Sequence, residues 1–119
     1  MKNLDLACAE LGRELAELKA GNKPIEEKVF TNALSVLEEQ GPYACFLYLQ
    51  AREGEAGEEI TKRSAQFLEK VLNLNTGGKK PLEAIEAVAG DVDDLLLARD
   101  LLRQAFVYAR YYVKARPNG

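Results

Sequence analysis

The longest helical pattern in the chain lies in residues 91–116, DVDDLLLARDLLRQAFVYARYYVKAR. Apolar residues recur in it at spacings of three and four, which is the period of one helical face. That face is predicted to consist of Leu101, Leu102, Ala105, Phe106, Ala109, Tyr112 and Val113. Asp91 followed by Asp94 is typical of a capped helix start. At ~1.5 Å per residue, this predicts a closing helix about 37 Å long, the length of a small domain.

Outward from this helix, glycine and proline divide the rest of the chain into shorter segments of helical periodicity. Helices are expected over residues 3–20, 24–40, 43–51, 58–74 and 81–89, with loops at 52–59 and 75–80. Segment 43–51 contains one polar residue, Gln50, which predicts a helix at the centre of the bundle. No run alternates apolar and polar residues as a strand does. The sequence therefore predicts an all-α fold, a compact bundle of about six helices with a short apolar central helix and a long C-terminal helix.

Composition limits the size and class of the protein. The chain has 119 residues, of which 47% are hydrophobic and 29% charged, so one folded domain over residues 1–119 is expected. No apolar run approaches the ~18 residues that a membrane span needs, and the first residues lack the pattern of a secretion signal. We therefore expect a cytoplasmic protein with no membrane role.

The sequence offers no set of residues for catalysis or metal binding. It contains no histidine, which excludes the commonest general base. Cys8 and Cys45 lie in apolar helical patterns without Cys-x-x-Cys spacing, and we predict that both are buried. The acids of segment 91–94 fit a helix start, and segment 77–80 lacks the spacing of a phosphate-binding loop. We expect no enzyme activity, no catalytic residue, no metal, no cofactor and no small-molecule substrate.

Charge distribution is the feature that points to function. The net charge is −3, yet no acid follows Asp100. Four cations of the closing helix lie within about 60° of one another on a helical wheel and form a row about 22 Å long. They are Arg99, Arg103, Arg110 and Lys114, with Tyr111 beside them. We predict that this row binds an RNA backbone and that Tyr111 stacks or donates a hydrogen bond. The alternative is that the last cations only complement the helix dipole.

Three further cations are weaker candidates for RNA binding. Lys79 and Lys80 follow two glycines in the predicted loop 75–80, and Arg63 lies on a polar face of the predicted helix 58–74. The simpler interpretation of the lysines is an exposed turn, and that of Arg63 is a solvated helix face.

The region 28–52, KVFTNALSVLEEQGPYACFLYLQAR, carries a resemblance to a known family. An amphipathic helix ends in Gln40-Gly41 and leads into a very apolar helix that contains Phe46, and the closing helix 99–116 mixes aromatic and basic residues. In these features the chain resembles the small α-helical subunit of type III-B (Cmr) CRISPR RNA-guided effector complexes. The alternative that this resemblance leaves open is a small subunit of another type III or type I complex.

The resemblance implies a structural subunit with a role in antiviral defence. Its expected partners are other subunits of the effector complex, copies of itself stacked in a filament, and the backbone of CRISPR RNA and target RNA. Cleavage would belong to other subunits. A second hypothesis, drawn from the net charge and the acidic first half of the chain, is a helical protein–protein adaptor with no nucleic-acid role.

Overall fold

The structure, a computed structural model, describes residues 3–74 and 80–116. Within these ranges it contains six helices: α1 (Leu4–Glu17), α2 (Glu27–Gln40), α3 (Pro42–Arg52), α4 (Gly54–Val71), α5 (Pro81–Val88) and α6 (Val92–Ala115). Two short antiparallel strands, β1 (Lys19–Ala20) and β2 (Lys23–Pro24), join α1 to α2. The predicted all-α bundle is confirmed.

The closing helix α6 begins and packs largely as its sequence predicts. The Asp91 side chain accepts a hydrogen bond from the backbone N–H of Asp94 at 3.2 Å, which caps the helix start. Its predicted core residues are buried except for Tyr112, which is 39% exposed. The core prediction is wrong at Tyr112, because a surface pocket leaves one side of its ring open.

Helices α1 and α6 run parallel, since Asp5 contacts Tyr108 and Ala16 contacts Arg116. Gly12 lies where the two backbones come closest. A Cβ atom at this position would be 2.8 Å from the carbonyl oxygen of Ala105, which is too close for two unbonded atoms. Glycine at residue 12 therefore allows α1 to pack directly on the backbone of α6.

A tight helical hairpin replaces the loop predicted for residues 52–59, so that prediction is wrong. Helix α3 continues to Arg52 and α4 begins at Gly54, whose φ of 56° allows the chain to reverse. One turn later, a Cβ atom on Gly57 would lie 1.8 Å from the carbonyl oxygen of Leu49. The two glycines therefore allow a sharp turn and a close contact between the helices. A glycine-rich segment of this kind has the same composition as a surface loop, so composition alone does not predict the hairpin.

The connection between α1 and α2 also differs from the prediction. Lys19 pairs with Pro24 and Ala20 with Lys23, around Gly21 at a φ of 63°. Helix α2 consequently starts at Glu27 and not at residue 24. The expectation that the chain contains no strand is wrong for these four residues, because two-residue strands are too short to show an alternating pattern.

Helix α3 is buried on one side only, so its predicted place at the centre of the bundle is partly wrong. It packs against α2, α4, α5 and α6, and its Cys45, Phe46 and Leu49 are fully buried. Tyr43 and Leu47 on its outer side remain exposed, so α3 is not enclosed on all sides.

Candidate nucleic-acid interface

The last two cations of the predicted row contact an acid of α2. Glu27 lies in the first turn of α2, and its Oε1 atom is 3.5 Å from Arg110 Nη2 and 3.5 Å from Lys114 Nζ. Arg110 and Glu27 are both half-buried, which shields their contact from solvent. One carboxylate therefore partly neutralises two cations of the row, the half-buried Arg110 and the exposed Lys114.

The first two cations of the row have a weak ion pair or none among the described residues. Arg103 Nη2 is 3.9 Å from Asp100 Oδ1, an exposed pair of the kind that contributes at most about 1 kcal/mol. Arg99 is half-buried and has no ion pair with any residue that the structure describes. Tyr111 is 65% exposed on the same helix. Successive phosphates of an RNA backbone could therefore reach Arg99 and Arg103 without breaking a strong contact, and Tyr111 lies further along the same helix.

The weaker candidates do not join this row. Arg63 lies on α4, where its Nε atom is 3.7 Å from Glu59 Oε2 one turn earlier. Lys80 is exposed just before α5, and its backbone N–H donates to Glu83 Oε1 at 3.1 Å. Lys79 lies outside the described residues. No described contact links Arg63 or Lys80 to the α6 cations.

A pocket that the sequence analysis did not predict opens where α1, the β1–β2 hairpin and the end of α6 meet. We call it the hairpin-end pocket; its volume is about 450 Å³. Its lining residues are Arg13, Ala16, Glu17, Lys19, Pro24, Tyr112, Ala115 and Arg116. Because Lys19 and Pro24 are cross-strand partners, they lie on the same face of the hairpin. Helical periodicity does not reveal this site, since it predicts neither the hairpin nor an exposed Tyr112.

The hairpin-end pocket carries more positive than negative charge. The guanidinium of Arg116 donates to the carbonyl oxygens of Ala16 at 3.1 Å and Ile25 at 2.8 Å, which hold it in place but carry no net charge. Arg13 Nη1 is 3.5 Å from Glu17 Oε1, the single acid among the lining residues. Lys19 is exposed. The pocket therefore offers three cations and one acid beside the exposed ring of Tyr112.

A second concave surface lies between α1 and α4, which we call the α1–α4 groove; its volume is about 610 Å³. Leu6, which is 55% exposed, lies in it with Leu11, Phe67 and Val71. The α1 side carries Glu10 and Glu14, and the α4 side carries Lys62, Arg63 and Lys70 as well as Glu59. An apolar groove with an acidic side and a mainly basic side suits a helix of a protein neighbour.

Both cysteines are buried, as predicted, and their environments make the thiols unreactive. Burial, with a smaller effect of the Asp5 charge, raises the pKa of Cys8 to about 11, and burial raises the pKa of Cys45 to about 12. Each thiol donates a hydrogen bond to a backbone carbonyl oxygen, Cys8 to that of Leu101 and Cys45 to that of Ala33. A nucleophilic cysteine needs a lowered pKa, because the reactive form is the thiolate.

Among residues 3–74 and 80–116, no three side chains of His, Cys, Asp or Glu are grouped closely enough to hold a metal ion. No described helix is both long and apolar enough to cross a membrane.

The comparisons with known proteins add no relative. No protein-family model, no curated protein and no solved structure matches this chain.

Proposed function

We propose that this chain is a non-catalytic small subunit of a type III CRISPR ribonucleoprotein effector complex. In this role it stacks beside the backbone of the complex in the cytoplasm and helps to hold the duplex of guide RNA and target RNA during antiviral defence. One observation carries the proposal: three separate parts of the chain bring Arg13, Lys19 and Arg116 together around an exposed aromatic ring, in a protein of net charge −3.

Cations grouped on one surface suit an RNA backbone better than a dispersed charge does. Phosphate contacts position a nucleic acid without reading its sequence, which is what a scaffold subunit of a guide-directed complex needs. Arg103 adds accessible positive charge on the opposite face of α6 from Tyr112, which gives the chain a second, separate basic surface. The remaining acidic surface is then available to protein neighbours.

The small number of accessible cations predicts weak binding by the isolated chain. If three or four phosphates are contacted, the logarithm of the affinity falls with the logarithm of salt concentration with a slope of about −3. Such a dependence leaves little binding near physiological salt. Weak binding by one subunit suits an assembly in which several copies contact the same duplex.

The α1–α4 groove supports contact between copies of this chain. The start of α6 exposes Val92 and Leu96, with Arg99 on one side of the helix and Asp93 on the other. A ridge of this composition complements the groove, which is apolar at its centre and carries acids on one side and mainly basic residues on the other. Because the ridge and the groove are different surfaces, each copy presents one to each neighbour, and the contact forms an open row.

Purification from native cells tests the proposal. A tagged chain is recovered with and without ribonuclease, and the associated RNA is sequenced. The expected result is a set of short CRISPR guide RNAs together with larger protein subunits. Protein partners that survive ribonuclease while guide RNA is absent from the untreated sample would contradict it.

The same experiment also tests a second candidate function, that of a helical adaptor that binds only proteins. The observation that favours it is the α1–α4 groove, which has the shape and apolar lining of a helix-binding surface. An adaptor retains its partners after ribonuclease and yields no guide RNA in either sample.

A further inference from the structure

We propose that the hairpin-end pocket binds one unpaired nucleotide of an RNA strand, with its base stacked on Tyr112 and its phosphate held by Lys19 and Arg13. This inference rests on the proposed function and deepens it, because it adds a base-binding site to a subunit expected to contact only the backbone.

The base side of the pocket is apolar and contains an available ring. Tyr112 is 39% exposed, and Ala16, Pro24 and Ala115 line the pocket with it. Unpaired bases bind proteins by stacking on aromatic side chains, and this contact tolerates any base because every base has a flat face. The volume of about 450 Å³ falls within the range of ~300–1,000 Å³ that is typical of small-ligand sites.

The phosphate side of the pocket is basic and partly preorganised. Arg116 is fixed by its hydrogen bonds to Ala16 and Ile25, so its charge stays in place without an acid to neutralise it. Lys19 is exposed, which allows its ammonium group to reach a phosphate. Arg13 contacts Glu17 at 3.5 Å across an exposed pair that a phosphate can replace at little cost.

The combination favours a nucleotide over an acidic peptide. A carboxylate could use the same cations, but it would leave the Tyr112 ring without a matching flat partner. A nucleotide supplies a flat ring and a phosphate within one unit. The nucleotide must be unpaired, because the bases of a duplex already stack on one another and do not present their faces.

Fluorescence provides a direct test, because the chain contains no tryptophan. Tyr112→Trp places a single reporter in the pocket, and Tyr43→Trp places one on α3 at a similar exposure, 41% against 39%. The probes are a single-stranded oligoadenylate RNA, a blunt RNA duplex of equal length and a polyglutamate peptide, all at low salt. Saturable quenching of the residue-112 reporter by the single strand alone is expected, with no saturable change at residue 43.

Affinity measurements on the full chain keep the inference testable without the reporter. Tyr112→Ala is expected to weaken oligoadenylate binding by about 5- to 150-fold, since one base–aromatic stack is lost. Tyr112→Phe keeps the ring and should restore nearly all of the affinity. Circular dichroism of each variant establishes that the fold is intact.

Several results would overturn the nucleotide site. They are quenching by the duplex or by polyglutamate as strong as by the single strand, absence of quenching by the single strand, and wild-type affinity in Tyr112→Ala. If guide RNA still copurifies with the native complex, any of these results rules out the site for an unpaired nucleotide and leaves the proposed function standing. If guide RNA is absent from the complex, the proposed function fails, whatever the pocket binds.

Discussion

Glu27 of α2 contacts Arg110 of α6 across 83 positions of sequence, with Oε1 and Nη2 3.5 Å apart. The Arg110 Nε atom is buried and has no hydrogen-bond partner among the described residues, so this contact is the main compensation for its charge. Lys114 shares the same carboxylate. Glu27 therefore joins the two helices and partly neutralises two of the cations that the sequence predicts for RNA binding.

Glu27→Gln should release Arg110 and Lys114. We expect tighter RNA binding at low salt, because the net charge of this region rises by one, and a loss of about 1 kcal/mol in stability from the broken, partly exposed contact. Fluorescence anisotropy with labelled RNA and urea denaturation measure the two effects. Glu38→Gln, an exposed change on the same helix, is the matched control. Equal behaviour of the two variants would show that the Glu27 contact has no role in binding or stability.

Gly12→Ala tests the close packing of α1 on α6. The added methyl group would lie 2.6 Å from Tyr108 Cβ and within 3.0 Å of two backbone atoms, so the helices must separate. We expect a loss of roughly 1–3 kcal/mol in the free energy of unfolding. Gly90→Ala is the control, because nothing lies within 4 Å of its added Cβ atom. Urea denaturation curves that move equally for both variants would refute the steric argument.

Pairing of the α6 ridge with the α1–α4 groove predicts a specific pattern of assembly. The wild-type chain should self-associate as its concentration rises, while Leu6→Glu blocks the groove and Leu96→Glu blocks the ridge. Each variant alone should then be monomeric. An equal mixture should form a dimer and stop there, because one intact groove and one intact ridge remain.

Sedimentation velocity distinguishes these species by mass. Leu47→Glu, an exposed substitution on α3, should leave assembly unchanged. A wild-type chain that stays monomeric at every concentration, or a mixture that contains only monomers, would contradict the ridge-and-groove contact.

The raised pKa values of Cys8 and Cys45 predict a loss of stability in alkali. In the unfolded chain a thiol ionises near its ordinary value of 9.0, whereas in the folded chain it stays protonated up to about 11 or 12. Above pH 9 the unfolded state therefore binds fewer protons, and the free energy of unfolding falls as the pH rises towards 11.

Urea denaturation at pH 8 to 11 measures this slope. The double variant Cys8→Ala/Cys45→Ala should show a shallower slope, although its stability at pH 8 is lower because of the atoms removed from the core. A thiol-reactive dye should label neither cysteine of the folded wild type at pH 8 and both after unfolding. Identical slopes in the two proteins would exclude the thiols as the cause.

The helices and most of the core could be predicted from the sequence because they depend on local order. The spacing of Leu101, Leu102 and Phe106 defines a buried face. The side chain of Asp91 caps the helix by accepting a hydrogen bond from the backbone N–H three residues later. The apolar surroundings of Cys45 likewise predict its burial. These features need only the helical period and the chemistry of neighbouring residues.

The binding surfaces were decided by tertiary structure. A helical wheel aligns Arg99, Arg110 and Lys114 on one face of α6. The packing of α2, however, places Glu27 beside Arg110 and Lys114, and Arg99 has no acidic partner among the described residues. The hairpin-end pocket likewise joins residues about a hundred positions apart, such as Ala16 and Arg116. Such contacts depend on the angles and offsets at which helices pack, and these follow from side-chain shape across the whole core, which no local pattern of sequence records.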